Sequence, residues 1–247
     1  MRIAVCQIEI VDSDSPGNLA RIEAAAEQAR HHRADIACFP EAALLGWGNP
    51  RAAELAPAIP GAHSEALCAL ARRCGLMVCA GLHERSGDRL FNTALLIDRD
   101  GQVLHRHRKI NLIEGVESPP TAAGSPGGLR VVDTRLGRIG LMICADSFIA
   151  AHRTALAAQK PDLVLIPYAW AAPAAEWPAH GEKLRAVIAD NARDMGCPVV
   201  GTDGVGVMTA GPWKDYVVGG ASAVYWPGPL PHLDFPCGIA GVWVAEV

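Results

Sequence analysis

Three residues of this sequence could do chemistry together, because each directly follows an apolar run that predicts a strand. Cys144 follows the run at residues 139–143, and Glu41 follows the run at 35–39, which Pro40 closes. Lys109 follows the run at residues 102–108. A thiol with a pKa of about 8.5 is mostly protonated at neutral pH, so it needs a base to become a nucleophile. A carboxylate can take that proton, and a lysine can hold the carboxylate and stabilise an anionic intermediate. These residue types therefore permit nucleophilic attack on a carbonyl carbon.

The same residues also have less specific explanations. Free cysteine is among the residue types most often found buried, so Cys144 could be a core thiol. Charged residues are common at strand ends, so Glu41 and Lys109 could form a solvated pair at the rim of a sheet. A peroxide-sensing thiol at Cys144 is a further alternative, and it would require neither Glu41 nor Lys109.

The segment after Cys144 predicts a strand-to-helix turn. Asp146 follows closely, and residues 147–159 have the pattern of a helix. Open α/β sheets bind ligands at the carboxyl ends of their strands, and the positive end of a following helix would favour thiolate over thiol. The backbone N–H of Ala145 is a candidate donor to an oxyanion at this turn.

The apolar pattern along the chain alternates strands with helices and includes hairpins. Helical spacing predicts helices over residues 16–33, 63–74, 147–159 and 177–195. Short apolar runs predict strands at 3–8, 35–39, 76–83, 91–97, 102–108, 130–134, 139–143, 162–167, 198–201, 221–226 and 241–247. The Asp100-Gly101 pair between two such runs indicates a hairpin. This order predicts an α/β fold with a mixed sheet or two sheets.

Composition excludes several classes of function. The 247 residues, 50% of them hydrophobic, predict one domain over residues 1–247. The net charge of -4 and the lack of a basic block argue against nucleic acid and membrane partners. No apolar run approaches the about 20 residues that span a bilayer, and the N-terminus lacks a signal-peptide layout. The eight cysteines show no metal-ligand spacing, so we expect reduced thiols, no metal, no cofactor and a cytoplasmic location.

Three motifs, in order, resemble the signatures of the nitrilase superfamily, the carbon–nitrogen hydrolases with a Glu-Lys-Cys triad. They are Phe39-Pro40-Glu41, Arg108-Lys109-Ile110-Asn111-Leu112 and Gly140-Leu141-Met142-Ile143-Cys144-Ala145-Asp146. Further similarities at residues 4–7, 162–170, 185–191 and 220–222 extend the resemblance over nearly the whole chain. The resemblance implies a four-layer α-β-β-α sandwich that forms homodimers.

The resemblance also implies roles for individual residues. Cys144 would be the nucleophile, Glu41 the general base and acid, and Lys109 the cation that stabilises the intermediate. Members of the superfamily carry a second glutamate shortly after the lysine. Glu117 is our choice for it, and Glu114 is the alternative.

The substrate expectation follows from the residues after the nucleophile. Ala145-Asp146 resembles the amide-hydrolysing branches more than the Trp-Glu of true nitrilases. We expect hydrolysis of a small amide or N-carbamoyl compound through a thioester, with nitrile hydrolysis, acyl transfer or a catalytically silent protein as alternatives. Aromatic residues near predicted strand ends are candidates to line the pocket, with core or dimer packing as the alternative: Trp47, Tyr168 and Trp170.

Overall fold

The first large sheet contains both chain termini in the computed structural model, which describes residues 1–117, 119–229 and 232–247. Its strands are β1 (Arg2–Gln7), β2 (Ile36–Cys38), β3 (Met77–Ser86), β4 (Arg89–Ile97), β5 (Val103–Arg108) and β15 (Gly241–Glu246). They are ordered β15-β1-β2-β3-β4-β5. The first three pair in parallel, and β4, β5 and β15 are added antiparallel.

The second large sheet is built on the same plan. Its strands are β6 (Val131–Thr134), β7 (Gly137–Leu141), β8 (Leu163–Pro167), β10 (Val199–Thr202), β13 (Ala223–Tyr225) and β14 (Leu233–Asp234). They are ordered β14-β13-β10-β8-β7-β6, with the three central strands β7, β8 and β10 parallel. A small sheet of β9 (Ala171–Pro173), β11 (Val205–Val207) and β12 (Tyr216–Gly219) was not predicted, because glycines interrupt its short runs.

Helices cover the outer faces of the two large sheets. They are α1 (Ser15–His31) and α3 (Ala62–Cys74) on the first sheet, and α4 (Ala150–Ala157) and α5 (Ala179–Met195) on the second. The short α2 (Ala52–Leu55) lies between β2 and α3 and packs in a separate small apolar cluster. The Asp14 carboxylate caps α1 by accepting from the Gly17 N–H, and α3 ends at Gly75 in the left-handed conformation. Within the described ranges, no helix has both the length and the hydropathy needed to cross a bilayer.

Strand alternation produces the layered core. In β1, Ile3 and Val5 face the second sheet, whereas Ala4 and Cys6 face α1 and α3. Each buried sheet therefore needs apolar residues on both faces, which explains its continuous hydrophobic runs. The predicted four-layer α-β-β-α sandwich is confirmed.

The segment around Cys144 differs from the prediction. Strand β7 ends at Leu141, a 3-10 helix occupies Cys144–Phe148, and α4 begins only at Ala150. Cys144 has a φ of 40°, in the left-handed region that non-glycine residues rarely adopt, so neither the strand nor a regular helix can run through it. Such strain persists only where surrounding contacts fix it.

Candidate active site

Each of the three motif residues follows the end of a strand, although these strands are not adjacent: β3 and β4 separate β2 from β5, and β7 belongs to the second large sheet. Glu41 follows β2, Lys109 follows β5, and Cys144 follows β7. The Glu41 N–H donates to the Tyr168 carbonyl after β8 at 3.1 Å, so the two sheets are joined at this edge. The fold thus brings together groups that are far apart in the sequence.

A buried ionic group occupies this edge. The Lys109 Nζ lies 3.0 Å from the Glu41 Oε1 and 2.9 Å from the Glu117 Oε1. The side chains of Lys109 and Glu41 are 2% and 0% exposed, so water screens this contact little. Glu117, rather than the exposed Glu114, is the second glutamate in contact with the lysine.

Two further donors fix the Glu41 carboxylate. The Asn92 Nδ2 donates to Oε1 at 2.6 Å, and the Ala169 N–H donates to Oε2 at 3.0 Å. Sequence reasoning missed Asn92, although a polar residue inside the apolar strand β4 was an available signal. With both oxygens bonded, Glu41 has a fixed orientation at the base of the site.

Burial raises the pKa of Glu41 above its ordinary value of 4.5, and the nearby charge of Lys109 opposes this shift without cancelling it. Burial alone would lower the pKa of Lys109, but the charges of Glu41, Cys144 and Glu117 together raise it. The lysine is therefore an ammonium at neutral pH. Glu41 is a stronger base than an exposed glutamate.

The Cys144 thiol is buried beside this group. Burial and then the negative charge of Glu41 raise its pKa well above 9.0, while Lys109 and the Ala169 N–H act in the opposite direction. The expectation that a following helix would favour thiolate is therefore wrong, because the short 3-10 helix does not offset burial. The buried thiol is therefore a weaker acid than an exposed cysteine.

Asp146 connects the turn of Cys144 to the segment that carries the lysine. Its Oδ1 accepts from the N–H groups of Ile110 and Asn111 at 2.9 and 2.7 Å. Its Oδ2 accepts from the His107 Nε2 at 2.8 Å. Burial raises the pKa of Asp146, but these donors outweigh it and hold the value below the ordinary 3.8. The buried carboxylate thus fixes the strained turn at Cys144 against the end of β5.

The Ala145 N–H remains available for an oxyanion. Ala145 is fully buried, and in the described part of the chain no acceptor bonds its N–H. Its carbonyl accepts from the Asn111 Nδ2 at 2.7 Å, which fixes the peptide orientation.

The candidate pocket residues lie in different surroundings. Trp47 lines a cavity of about 20 Å³ together with Glu41 and Ala169, and its ring centroid is 5.9 Å from the Lys109 Nζ. Trp170 instead stacks on His180 at 4.7 Å. The position of Trp47 is the one that fits a pocket wall.

Tyr168 differs from its expected position. Its side chain is fully buried, and its hydroxyl lies 2.9 Å from the Ser147 Oγ. It therefore packs behind the turn of Cys144 instead of lining the cavity, because the chain after β8 continues along the core.

A buried carboxylate that the sequence did not signal orders the loops near the site. Asp203 accepts from the N–H groups of Trp170, Gly204 and Ala221 at 2.9, 3.0 and 3.1 Å. Burial raises its pKa to about 7, against the opposing effect of these donors. Asp203 thus joins the segments that follow β8, β10 and β12.

The two glutamates after Lys109 provide a matched test. We expect Glu117→Gln to lower kcat by about 10- to 100-fold, because it removes one of two charges that hold the lysine. Glu114→Gln removes the same charge from an exposed position on the same loop, and it should leave kcat unchanged. Steady-state ammonia release measures both. Equal losses in the two variants would contradict the placement of Glu117.

Comparison with known proteins agrees with this geometry. The carbon-nitrogen hydrolase family model matches residues 2–228. Omega-amidase NIT2 of Bos taurus is 30% identical over 239 residues, covering 92% of this chain and 81% of that protein. The match to Nitrilase 3 of an unknown prokaryotic organism is 36% identical over 115 residues, but it covers 47% of this chain and only 34% of that protein.

A solved structure with a similar fold is a variant of the amidase from Nesterenkonia sp. AN1. It shows Michael addition of acrylamide at the active-site cysteine of that enzyme. The TM-score is 0.81 and the identity 25%, and the match covers 100% of this chain and 93% of that one. The resemblance to the nitrilase superfamily is confirmed, and this chain belongs to the carbon-nitrogen hydrolase family.

Proposed function

We propose that this protein hydrolyses the carbon–nitrogen bond of a small amide other than a peptide, through a thioester on Cys144. The observation that carries the proposal is the buried contact of Lys109 with both Glu41 and Glu117, near the buried Cys144 thiol. The similarity to omega-amidase NIT2 and to the Nesterenkonia amidase supports an amide substrate.

Acylation begins with proton transfer from the Cys144 thiol to the Glu41 carboxylate as the sulfur attacks the carbonyl carbon. The Lys109 ammonium and the Ala145 N–H stabilise the oxyanion that develops. Glu41 then returns the proton to the leaving nitrogen. The carbon–nitrogen bond breaks, ammonia or an amine departs, and the acyl group remains on sulfur as a thioester.

Deacylation repeats these steps with water as the nucleophile. Glu41 takes a proton from water as its oxygen attacks the thioester carbonyl. The tetrahedral intermediate collapses, the carbon–sulfur bond breaks, and the Glu41 proton returns to the sulfur. The donors of Asn92 and Ala169 keep the carboxylate in one orientation for both half-reactions.

A narrow cavity adjoins Glu41. The adjoining cavity of about 20 Å³ has room for about one water molecule and is lined by apolar residues that include Trp47, Met208 and Val218. An amide of a short acid, an ω-amide, an N-carbamoyl compound and a nitrile are the classes to compare. An ammonia-release screen over the four, with Cys144→Ala as the blank, tests the proposal. Release by none of them, or equal release by the blank, would contradict it.

The pH profile tests the proposed role of Glu41. Because burial raises the pKa of Glu41, kcat/KM should fall on the acid side at a pH above the ordinary glutamate value of 4.5. Because Glu41 takes the thiol proton as the sulfur attacks, the rate does not depend on a free thiolate. We therefore expect kcat/KM to be flat from about pH 7 to 9. Initial rates of ammonia release over this range give the profile. A rise that continues toward the raised pKa of Cys144 would instead indicate a free thiolate.

We further propose that residues 1–247 form one catalytic domain that works as a homodimer in the cytoplasm. The resemblance supports the dimer, and the eight cysteines, all of them described, are free thiols as a reducing compartment requires. Light scattering on the purified protein tests the dimer.

A further inference from the structure

A second group of charged side chains lies on the outer face of the first sheet. Arg89 is on β4, and Arg106 and Arg108 are on β5. Alternation along β5 points these arginines outward, whereas His107 and Lys109 point toward Asp146 and Glu41. The arginine group is therefore separated from the Cys144 site by the thickness of the sheet.

These arginines line a cavity of about 370 Å³. Phe91, Ser125 and the backbone of residues 123, 124 and 128 complete its walls. The Gly124 N–H donates to the Lys109 carbonyl at 2.8 Å, and the Ala122 N–H donates to the Leu90 carbonyl at 2.7 Å. The wall is thus bonded to the sheet, and the cavity has the size of a small-molecule site that exists before binding.

The cavity has an excess of positive charge. Glu84 is its one neutralising carboxylate in the described chain; it accepts from the Arg108 Nε at 3.0 Å and lies 3.5 Å from the Arg106 guanidinium. No described carboxylate lies within salt-bridge distance of Arg89. Three guanidinium groups therefore face one buried carboxylate, which leaves two positive charges in excess.

The Phe91 ring holds two of these like charges near each other. The Arg108 and Arg89 Cζ atoms lie 3.7 and 5.0 Å from its centroid. Cation–π contact helps to position both guanidinium groups, and Glu84 neutralises the charge of Arg108 but not that of Arg89. The Nε and Nη2 of Arg108 already donate to Glu84. The guanidinium of Arg89 is therefore the one whose paired N–H donors can match the oxygens of a phosphate or a carboxylate.

We propose that this cavity binds a small dianion, a phosphate compound or a dicarboxylate, independently of the Cys144 site. The charge of the ligand would match the two excess positive charges. The Ser125 side chain lines the same cavity and can add a hydroxyl contact to the bound oxygens.

Isothermal titration calorimetry of the whole chain with inorganic phosphate, pyrophosphate and succinate tests the proposal. We expect one site per chain, with affinity that falls as salt is added. Arg89→Gln should weaken binding about tenfold, the effect of one charge-assisted hydrogen bond. Arg99→Gln, which removes the same charge from the exposed β4–β5 turn, should leave the affinity unchanged.

The outcomes separate the ligand classes and the two sites. Tighter binding of pyrophosphate assigns the cavity to phosphate compounds, and tighter binding of succinate assigns it to dicarboxylates. If Cys144→Ala binds the probe as tightly as the parent protein, the site is independent of hydrolysis. This result would hold even if the proposed amide hydrolysis were not found. No binding of any probe, or equal weakening by Arg89→Gln and Arg99→Gln, would overturn the proposal.

Discussion

Replacing Cys144 with alanine is expected to lower kcat/KM for the best amide substrate by about 10⁵-fold, because no other group can carry the acyl intermediate. Cys144→Ser should be almost as inactive, since a hydroxyl has a much higher pKa than a thiol and Glu41 cannot deprotonate it efficiently. Ammonia release under steady-state conditions measures both variants.

Cys68→Ala is the control for loss of a thiol, because Cys68 is a half-buried free thiol on the outer helix α3. It should retain full activity. All three variants should keep the thermal unfolding midpoint of the parent protein within a few degrees, because each removes or exchanges few atoms. A Cys144→Ala protein that is folded and still hydrolyses the amide would remove the nucleophile from the mechanism.

Glu41→Gln is expected to lower kcat by about 10³-fold or more, because an amide cannot accept the thiol proton or activate water. Glutamine has the shape of glutamate, and its oxygen can keep accepting from Asn92 and Lys109, although its amide nitrogen cannot accept from the Ala169 N–H. The loss would therefore report proton transfer more than altered packing. Glu114→Gln is the matched control, because Glu114 is exposed and has no salt bridge to Lys109.

The same variant separates hydrolysis from a redox role of Cys144. If Cys144 were a peroxide sensor, Glu41→Gln would leave its oxidation rate largely unchanged and there would be no hydrolysis to lose. Under the proposed mechanism, amide hydrolysis collapses in this variant. Peroxide consumption and ammonia release, measured on the same preparation, distinguish the two roles.

The layered fold and the position of Glu41 and Lys109 at strand ends could be predicted, because both follow from the local pattern of apolar residues. Apolar runs define the central strands. The hairpin turns reverse the chain twice between β3 and β5, so β5 runs in the same direction as β2 and both strands end at the same edge, near which Glu41 and Lys109 lie. The identity of the second glutamate could not be predicted, because Glu114 and Glu117 lie on an irregular loop whose direction the sequence does not determine. Contact with Lys109 depends on that direction.

Features that depend on contacts between distant parts of the chain could not be predicted from local sequence patterns. Strand β7 was predicted to reach residue 143, but the Asp146 carboxylate bonds the chain after β5 and fixes an early turn. The raised pKa of Cys144 depends on burial and on Glu41, neither of which a helix-dipole argument includes. Asp203 carries no local signal at all, since its partners are backbone groups of three separate segments.

The central claim is that the Cys144 sulfur carries the acyl group during turnover. Peptide mapping by mass spectrometry, after an acid quench of the protein mixed with an aryl ester of the preferred acid, tests it most directly, because the better leaving group makes deacylation limiting. We expect the acyl mass on the peptide that contains Cys144, and its release by hydroxylamine. An acyl group on any other residue, or none while product accumulates, would contradict it.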